Sequence, residues 1–318
     1  MPLDHFIPQV HLKKFYSPDL GQQLHVLRKS DLTYFPPNAQ SICRIEDGST
    51  NTFLQEERAI EEFLRTIEPK YNESVEKLRQ GSIDQQCIYT ISGYLAYVAS
   101  CSPGGMRIHT GPLKNALEST AMLLDKRGDF PSPPASLGGA NLTELLANGT
   151  VYFDIDAKYP QAIGISGILE RTAMFGNFGW EVLRNPFENN SFFTSDYPVA
   201  IERTEDPRIL NRIVPLAPDL AIRVIPDIEL DLKRVDFGFS NFHSRPCDIS
   251  RAELVYLNRL IVQCAEELVI YRDDLRWIRP FVEKYRYHRI ETFNQRLPTP
   301  DGHLLISSQR IEVEKSND

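Results

Sequence analysis

Seven apolar residues recur at spacings of three and four between positions 60 and 78: Ile60, Phe63, Leu64, Ile67, Tyr71, Val75 and Leu78. That period puts them on one face of a helix, with Glu57, Glu61, Glu62, Arg65 and Glu76 on the other. An apolar stripe of this length has to be covered, so the rest of the chain must supply a core for it. Pro69 falls inside the pattern, and because its ring clashes with the preceding turn, a kink or break is expected between Glu68 and Lys70.

Further helices are expected on the same grounds. One begins near Ser82, runs through Cys87, Ile91, Leu95 and Val98, and ends before Ser102-Pro-Gly-Gly; another runs from Pro112 to about Arg127. Short connections make these antiparallel neighbours in a helical layer. The stretch 129–139, with Pro131, Pro133, Pro134, Gly138 and Gly139, reads as an exposed connector. A short helix lies between Asn141 and Gly149 and a longer one between about Ala162 and Phe175. After Gly179 the character changes: 180–184, 192–194, 198–201, 212–216 and 220–225 are rich in aromatic and branched residues and separated by Asn, Asp and Pro, the pattern of an antiparallel sheet. Ser250 and Glu253 then match a capping box before the stripe Leu254, Leu257, Ile261, Cys264 and Leu268. Helices, then strands, then helices indicate a single α+β domain over 1–318, an antiparallel sheet packed against a mostly helical layer.

With 42% apolar and 25% charged residues the chain is ordinary globular material. A net charge of −8 argues against broad electrostatic capture of nucleic acid or anionic lipid. The charge is uneven, nine acidic against four basic residues from Arg44 to Glu76 and seven basic against four acidic from Arg272 to Arg296, which leaves room for an anion site near the C-terminus. The opening MPLDHFIPQVHLKKFY lacks the apolar run of a signal peptide, and no stretch reaches the length of a membrane span, so cytoplasmic residence without a membrane partner is expected. Five scattered cysteines contain no Cys-x-x-Cys pair and are read as reduced and mostly buried.

The standard phosphate-loop, zinc-protease and nucleophile-elbow signatures are missing, and no cofactor is named by the sequence. Two segments carry polar chemistry. In 4–15, His5 and Gln9 can form a polar pocket while Phe6, Ile7, Val10, Leu12 and Phe15 dock the segment. His5 and His11 are too far apart to chelate a metal as a pair. In Phe192-Phe-Thr-Ser-Asp-Tyr-Pro-Val199, a structural turn competes with a role for Asp196 as orienter, general base or metal ligand, and with Ser195 as a weaker, nucleophilic site residue. Asn258, a poor helix former among apolar neighbours, needs a hydrogen-bonding reason, either anchoring or ligand contact. Glu68, at the expected kink, reads as a surface residue.

The same residues carry a family resemblance. His5-Phe-Ile-Pro-Gln9 followed by Leu12-Lys-Lys-Phe15 resembles the opening of the family named domain of unknown function 4238. Glu68, the 193–199 turn, Pro215-Leu-Ala-Pro218, Leu257-Asn258 and Ala265 look like its later landmarks. His11 stands where the family usually has an aromatic residue, and Ser100-Cys-Ser-Pro103 where an Arg-Thr-Pro-like sequence is usual. The resemblance implies an arrangement of parts and no activity.

Two readings of function follow. In the first the protein is a hydrolase of a phosphodiester or nucleotide, with His5 transferring a proton under the orientation of Asp196, Gln9, Ser195 and Asn258 lining the pocket, and Arg272, Arg276 and Arg279 contacting phosphate. In the second it is a non-catalytic module that binds a protein or small ligand through the acidic helix and the proline-rich connector.

Overall fold

The computed structural model describes residues 3–131, 133–299 and 302–313. From the N-terminus the chain forms β1 (Leu3–His5), α1 (Gln9–Leu12), β2 (His25–Arg28), β3 (Tyr34–Phe35) and β4 (Arg44–Glu46). Six helices follow: α2 (Ala59–Gln80), α3 (Gln85–Cys101), α4 (Pro103–Arg127), α5 (Leu142–Ala147), α6 (Lys158–Ser166) and α7 (Ile168–Gly176). Then come β5 (Gly179–Arg184), β6 (Thr194–Ser195), β7 (Ala200–Arg203), β8 (Leu210–Ala217), β9 (Leu220–Ile225) and β10 (His243–Asp248). The chain closes with α8 (Arg251–Cys264), β11 (Leu268–Tyr271), α9 (Ile278–Tyr285), β12 (His288–Thr299) and β13 (Gly302–Val313). The fold is α+β, with antiparallel pairing predominant.

The stripe from Ile60 to Leu78 does form one face of a helix, but α2 runs unbroken through Pro69. Proline has no N–H, so the Arg65 carbonyl loses its helical donor without the helix ending. The stripe packs on α3, which is buried at 13 of its 17 positions and also meets α4, α6 and α7. A helix apolar on nearly every face belongs in the centre of a layer. Ser102-Pro-Gly-Gly is a helix start and not the expected gap: the Ser102 side chain accepts from the Gly105 N–H, and Pro103 occupies the first turn, where its missing N–H costs nothing. Gly105 is required there, since a Cβ would sit 2.3 Å from the Ala99 carbonyl oxygen. The expected single helix from Ala162 to Phe175 is divided at Gly167 into α6 and α7.

One sheet has the order β10-β5-β9-β8-β7, antiparallel except that β10 runs parallel to β5. A second, β3-β2-β11-β6, is antiparallel and joins the N-terminal part of the chain to the 194–195 strand through β11. Arg223 on β9 reaches Glu181 on β5, Glu202 on β7 and Glu253 on α8, which ties the helix to the sheet. Ser250 caps α8 as expected, while the Glu253 carboxylate, expected to complete the capping box, is turned to Arg223. The C-terminal helical stretch is short. After α9 the chain forms the β12–β13 hairpin, whose base is anchored by buried Ile290 and by the Thr292 hydroxyl on the Ile108 carbonyl.

One contiguous cluster of buried apolar side chains extends from Phe6 to Ile290. All five cysteines are free thiols, four of them buried. Within the connector 129–139 the described residues are mostly exposed, and Ser132 lies outside the described residues. No described helix is long and apolar enough to cross a membrane.

Candidate functional site

The opening segment serves docking and site at once. Phe6, Ile7, Leu12 and Phe15 are buried, as expected, and β1 pairs with β4 so that His5 lies opposite Arg44. The Phe6 N–H continues the ladder to the Cys43 carbonyl, and Pro8 then turns the chain into α1, its carbonyl accepting from His11 and Leu12. This geometry brings His5 and Gln9 to one cleft of about 420 Å³, a volume suited to a small molecule. The other wall is α2, which contributes Glu61, Arg65, Glu68 and Pro69.

His5 is held from two sides. Its Nε2 is 3.1 Å from the Ala39 carbonyl oxygen, which can only accept, so in the neutral ring Nε2 carries the proton and Nδ1 keeps its lone pair. The ring also has a backbone hydrogen bond with Gln40, and no side chain among the described residues is hydrogen-bonded to it. The backbone of His5 is fixed by buried Tyr97, whose hydroxyl donates to the His5 carbonyl at 2.7 Å. Burial, with a contribution from Arg44, moves His5 below its ordinary value against the pull of Ala39, which keeps the ring neutral near pH 7. Glu68 shifts the other way: half-buried and without an ion-pair partner among the described residues, it is raised by desolvation. Neighbouring Asp4 is tied to the Ser49 N–H at 3.0 Å and to Arg58 at 3.6 Å, and Arg58 also holds Glu61. Arg65 is exposed and has no hydrogen-bond partner among the described residues. The cleft therefore holds a neutral imidazole, a carboxyl shifted toward its protonated form, an amide and a cation.

The pairing of His5 with Asp196 is not made. Asp196 is buried, does not line the cleft, and accepts three backbone N–H groups, from Glu266 (3.0 Å), Glu267 (2.8 Å) and Leu268 (3.1 Å). It acts as a clamp on the chain between α8 and β11. Burial pushes its carboxyl up to about 7, against those amides and nearby Lys29. Lys29, buried and lowered by desolvation to about 8, donates to the carbonyls of Ala265 and His288. Ser195 is fully buried and accepts from the Tyr197 N–H, a turn contact. Asn258 is likewise closed to ligand: its Oδ1 accepts from Phe193 N–H and its Nδ2 donates to Ser191 O, both at 2.9 Å, so it anchors the segment leading into the turn. Arg272 bonds Asp273 and the Glu188 carbonyl in a separate cleft, and Arg276 is exposed without a partner among the described residues.

The histidine that does meet the Thr-Ser-Asp turn is His11. Its Nε2 is 2.8 Å from the Thr194 hydroxyl and its Nδ1 2.8 Å from the Tyr71 hydroxyl, while its ring stacks on Tyr94 at 5.1 Å. Fully buried, it is lowered to about 3 by desolvation, the behaviour of a neutral core histidine occupying an aromatic site.

Glu68 is the site residue that sequence reasoning set aside. Its signal was there: it lies four residues after Leu64 and one after Ile67, at the border of the apolar stripe, where a carboxylate is partly withdrawn from water. Among the described residues no group of three or more His, Cys, Asp or Glu converges as a metal site.

A family model described as a protein of unknown function (DUF4238) matches residues 4–98, which bears out the resemblance read from the opening. That stretch includes His5, Gln9, Glu68 and Tyr97, and leaves out Asp196, Asn258 and Arg272. No curated protein and no solved structure matches the chain.

Proposed function

We propose that the cleft of His5, Gln9 and Glu68 is the acid–base site of a hydrolase acting on a phosphodiester or nucleotide. The observation that carries this reading is the pair of opposed shifts in one cleft. His5 is pushed toward the neutral base and Glu68 toward the neutral acid, and environments that drive two groups apart in this way assign their roles. In the proposed step His5 Nδ1 takes a proton from water as the water oxygen bonds to phosphorus. The bond from phosphorus to the leaving oxygen breaks, and that oxygen receives the Glu68 proton. Arg65 and the Gln9 amide supply donors to the non-bridging oxygens. Solvent then removes the proton from His5 and returns one to Glu68. Cytoplasmic residence accords with five unpaired cysteine thiols.

His5 must be deprotonated, so activity rises with pH through its lowered value; Glu68 must be protonated, so activity falls as pH passes its raised one. A bell with its maximum at about pH 5–6 is expected, between the ordinary values of the two groups. The test is turnover of bis(p-nitrophenyl) phosphate and of a short RNA. His5→Asn and Glu68→Gln should each lower kcat about 10²–10⁴-fold with the circular dichroism spectrum retained, and Glu68→Gln should remove the alkaline limb. Asp196→Asn should leave kcat per folded molecule unchanged. Wild-type protein inert toward both substrates, or both cleft variants turning over at the wild-type rate, would refute the reading.

A further inference from the structure

Buried arginine normally comes with a carboxylate, because its charge cannot be shed by deprotonation. Arg223 and Arg107 obey this: the first is held by Glu181, Glu202 and Glu253, the second by Glu266 and Glu291. Arg212 on β8 does not. No described carboxylate forms an ion pair with it, and its Nη1 is buried without a hydrogen-bond partner among the described residues. Burial lowers it, against Tyr197 and Cys264, with Arg171 from α7 adding a smaller push in the same direction as burial, whereas carboxylates raise Arg107 and Arg223 in spite of burial. His109 on α4 is lowered to about 4 by burial and then by both Arg171 and Arg212, so it brings no compensating charge.

Arg212 lines a cleft of about 430 Å³ between the β7–β8 turn and β13. Four of its eleven lining residues are arginines (203, 208, 212 and 310) and none is acidic, a local excess of positive charge on a chain of net charge −8. Arg208 is occupied by Asp206 in a bidentate pair. Arg203 is exposed and has no partner among the described residues. Arg310 lies over the Phe293 ring at 3.8 Å and, like Arg212, leaves a buried donor, its Nε, unpartnered. Gln309 in the same wall leaves a buried acceptor, Oε1, equally unpartnered. Buried donors and acceptors are nearly always satisfied, and three of the ten buried side-chain atoms without a partner among the described residues belong to this one cleft, two of them guanidinium nitrogens.

We propose that this cleft binds a small phosphorylated molecule of about nucleotide size, with Arg212 and Arg310 as inner anchors for the phosphate and Arg203 at the rim. Several guanidinium groups converging without a carboxylate match a multiply charged, multidentate anion better than a single carboxylate. The volume lies in the range of small-molecule sites, and the Gln309 oxygen calls for a donor such as a sugar hydroxyl. The cleft shares no lining residue with that of His5 and Glu68, so it is a second site.

The experiment is titration calorimetry of the full chain at fixed ionic strength with inorganic phosphate, ribose 5-phosphate, adenosine monophosphate and a single-stranded RNA 12-mer. Ribose 5-phosphate or the nucleotide should bind more tightly than inorganic phosphate. Arg212→Gln should weaken that binding about tenfold or more, and Glu68→Gln should leave it unchanged. Should Arg212→Gln fail to fold, Arg203→Gln and Arg310→Gln, each checked by circular dichroism, must together produce the loss. The proposal is overturned if neither organic phosphate binds below about 10 mM, if inorganic phosphate or the 12-mer alone binds, or if the folded arginine variants bind as wild type.

Discussion

His5 and His11 sit six residues apart in one segment and end with opposite chemistry, because one ring borders a cleft and the other is sealed among Phe15, Tyr71 and Tyr94. For His11 the folded value, about 3, lies below the ordinary 6.5, so the unfolded chain takes up the proton first. Its contribution to stability is complete above pH 6.5 and is lost as pH falls from there toward 3, at about 1.4 kcal/mol per pH unit. Asp196 has the opposite sign: raised to about 7, it favours the folded state below its ordinary value near 4 and loses that contribution as pH rises to 7. His11→Phe separates the two. Urea midpoints should show the variant about 2 kcal/mol less stable at pH 8, having lost the Tyr71 and Thr194 hydrogen bonds, with the deficit shrinking as pH drops below 6. A deficit independent of pH would mean that His11 is protonated inside the fold.

At the scale of elements, proline and glycine were judged by their usual effect and the outcome turned on position. Pro103 and Gly105 open α4 instead of ending a connection, and Pro69 sits on the exposed side of a helix that continues past it. What Pro69 removes is the donor to the Arg65 carbonyl, next to the cleft it helps to line. Pro69→Ala restores that donor in a helix already formed, and should raise stability by about 1–3 kcal/mol in urea denaturation. Destabilisation would show that the ring makes contacts worth more than the missing bond. The β12–β13 hairpin was hard to read from the sequence, because Arg289, Glu291, Gln295 and Arg296 weaken the apolar alternation that marks a strand. Its pairing rests on a long register, of which Ile290 is the buried foot.

Over the whole molecule, stability should be graded from α3 outward. This helix is covered by four others, whereas the far part of the hairpin, around Leu297 and Leu304–Ile306, is exposed. Hydrogen exchange followed by mass spectrometry should find the α3 amides among the last to exchange and those of 295–299 and 302–306 among the first, even though both stretches lie in paired strands. Equal protection in the two regions would mean that the hairpin tip is covered in solution by something else.

Local chemistry was sufficient for much of this architecture. The 3.6-residue stripe produced α2, side-chain caps at Ser250 and Asn141 set the starts of α8 and α5, and the branched and aromatic runs after Gly179 became strands, because those preferences act between residues close in the chain. The opening His5–Gln9 was also recognisable as polar residues alternating with docking ones. Which residue faces His5 was not recognisable: Glu68 and Asp196 are both carboxylates beside apolar runs, and their difference lies in distant partners. Asp196 is closed by backbone amides 70 to 72 residues away, and Arg212 shares a cleft with β13 and has no carboxylate partner among the described residues. Desolvation and unpaired charge depend on everything that surrounds a group, so tertiary packing alone decided which polar residues became clamps and which remained available for chemistry.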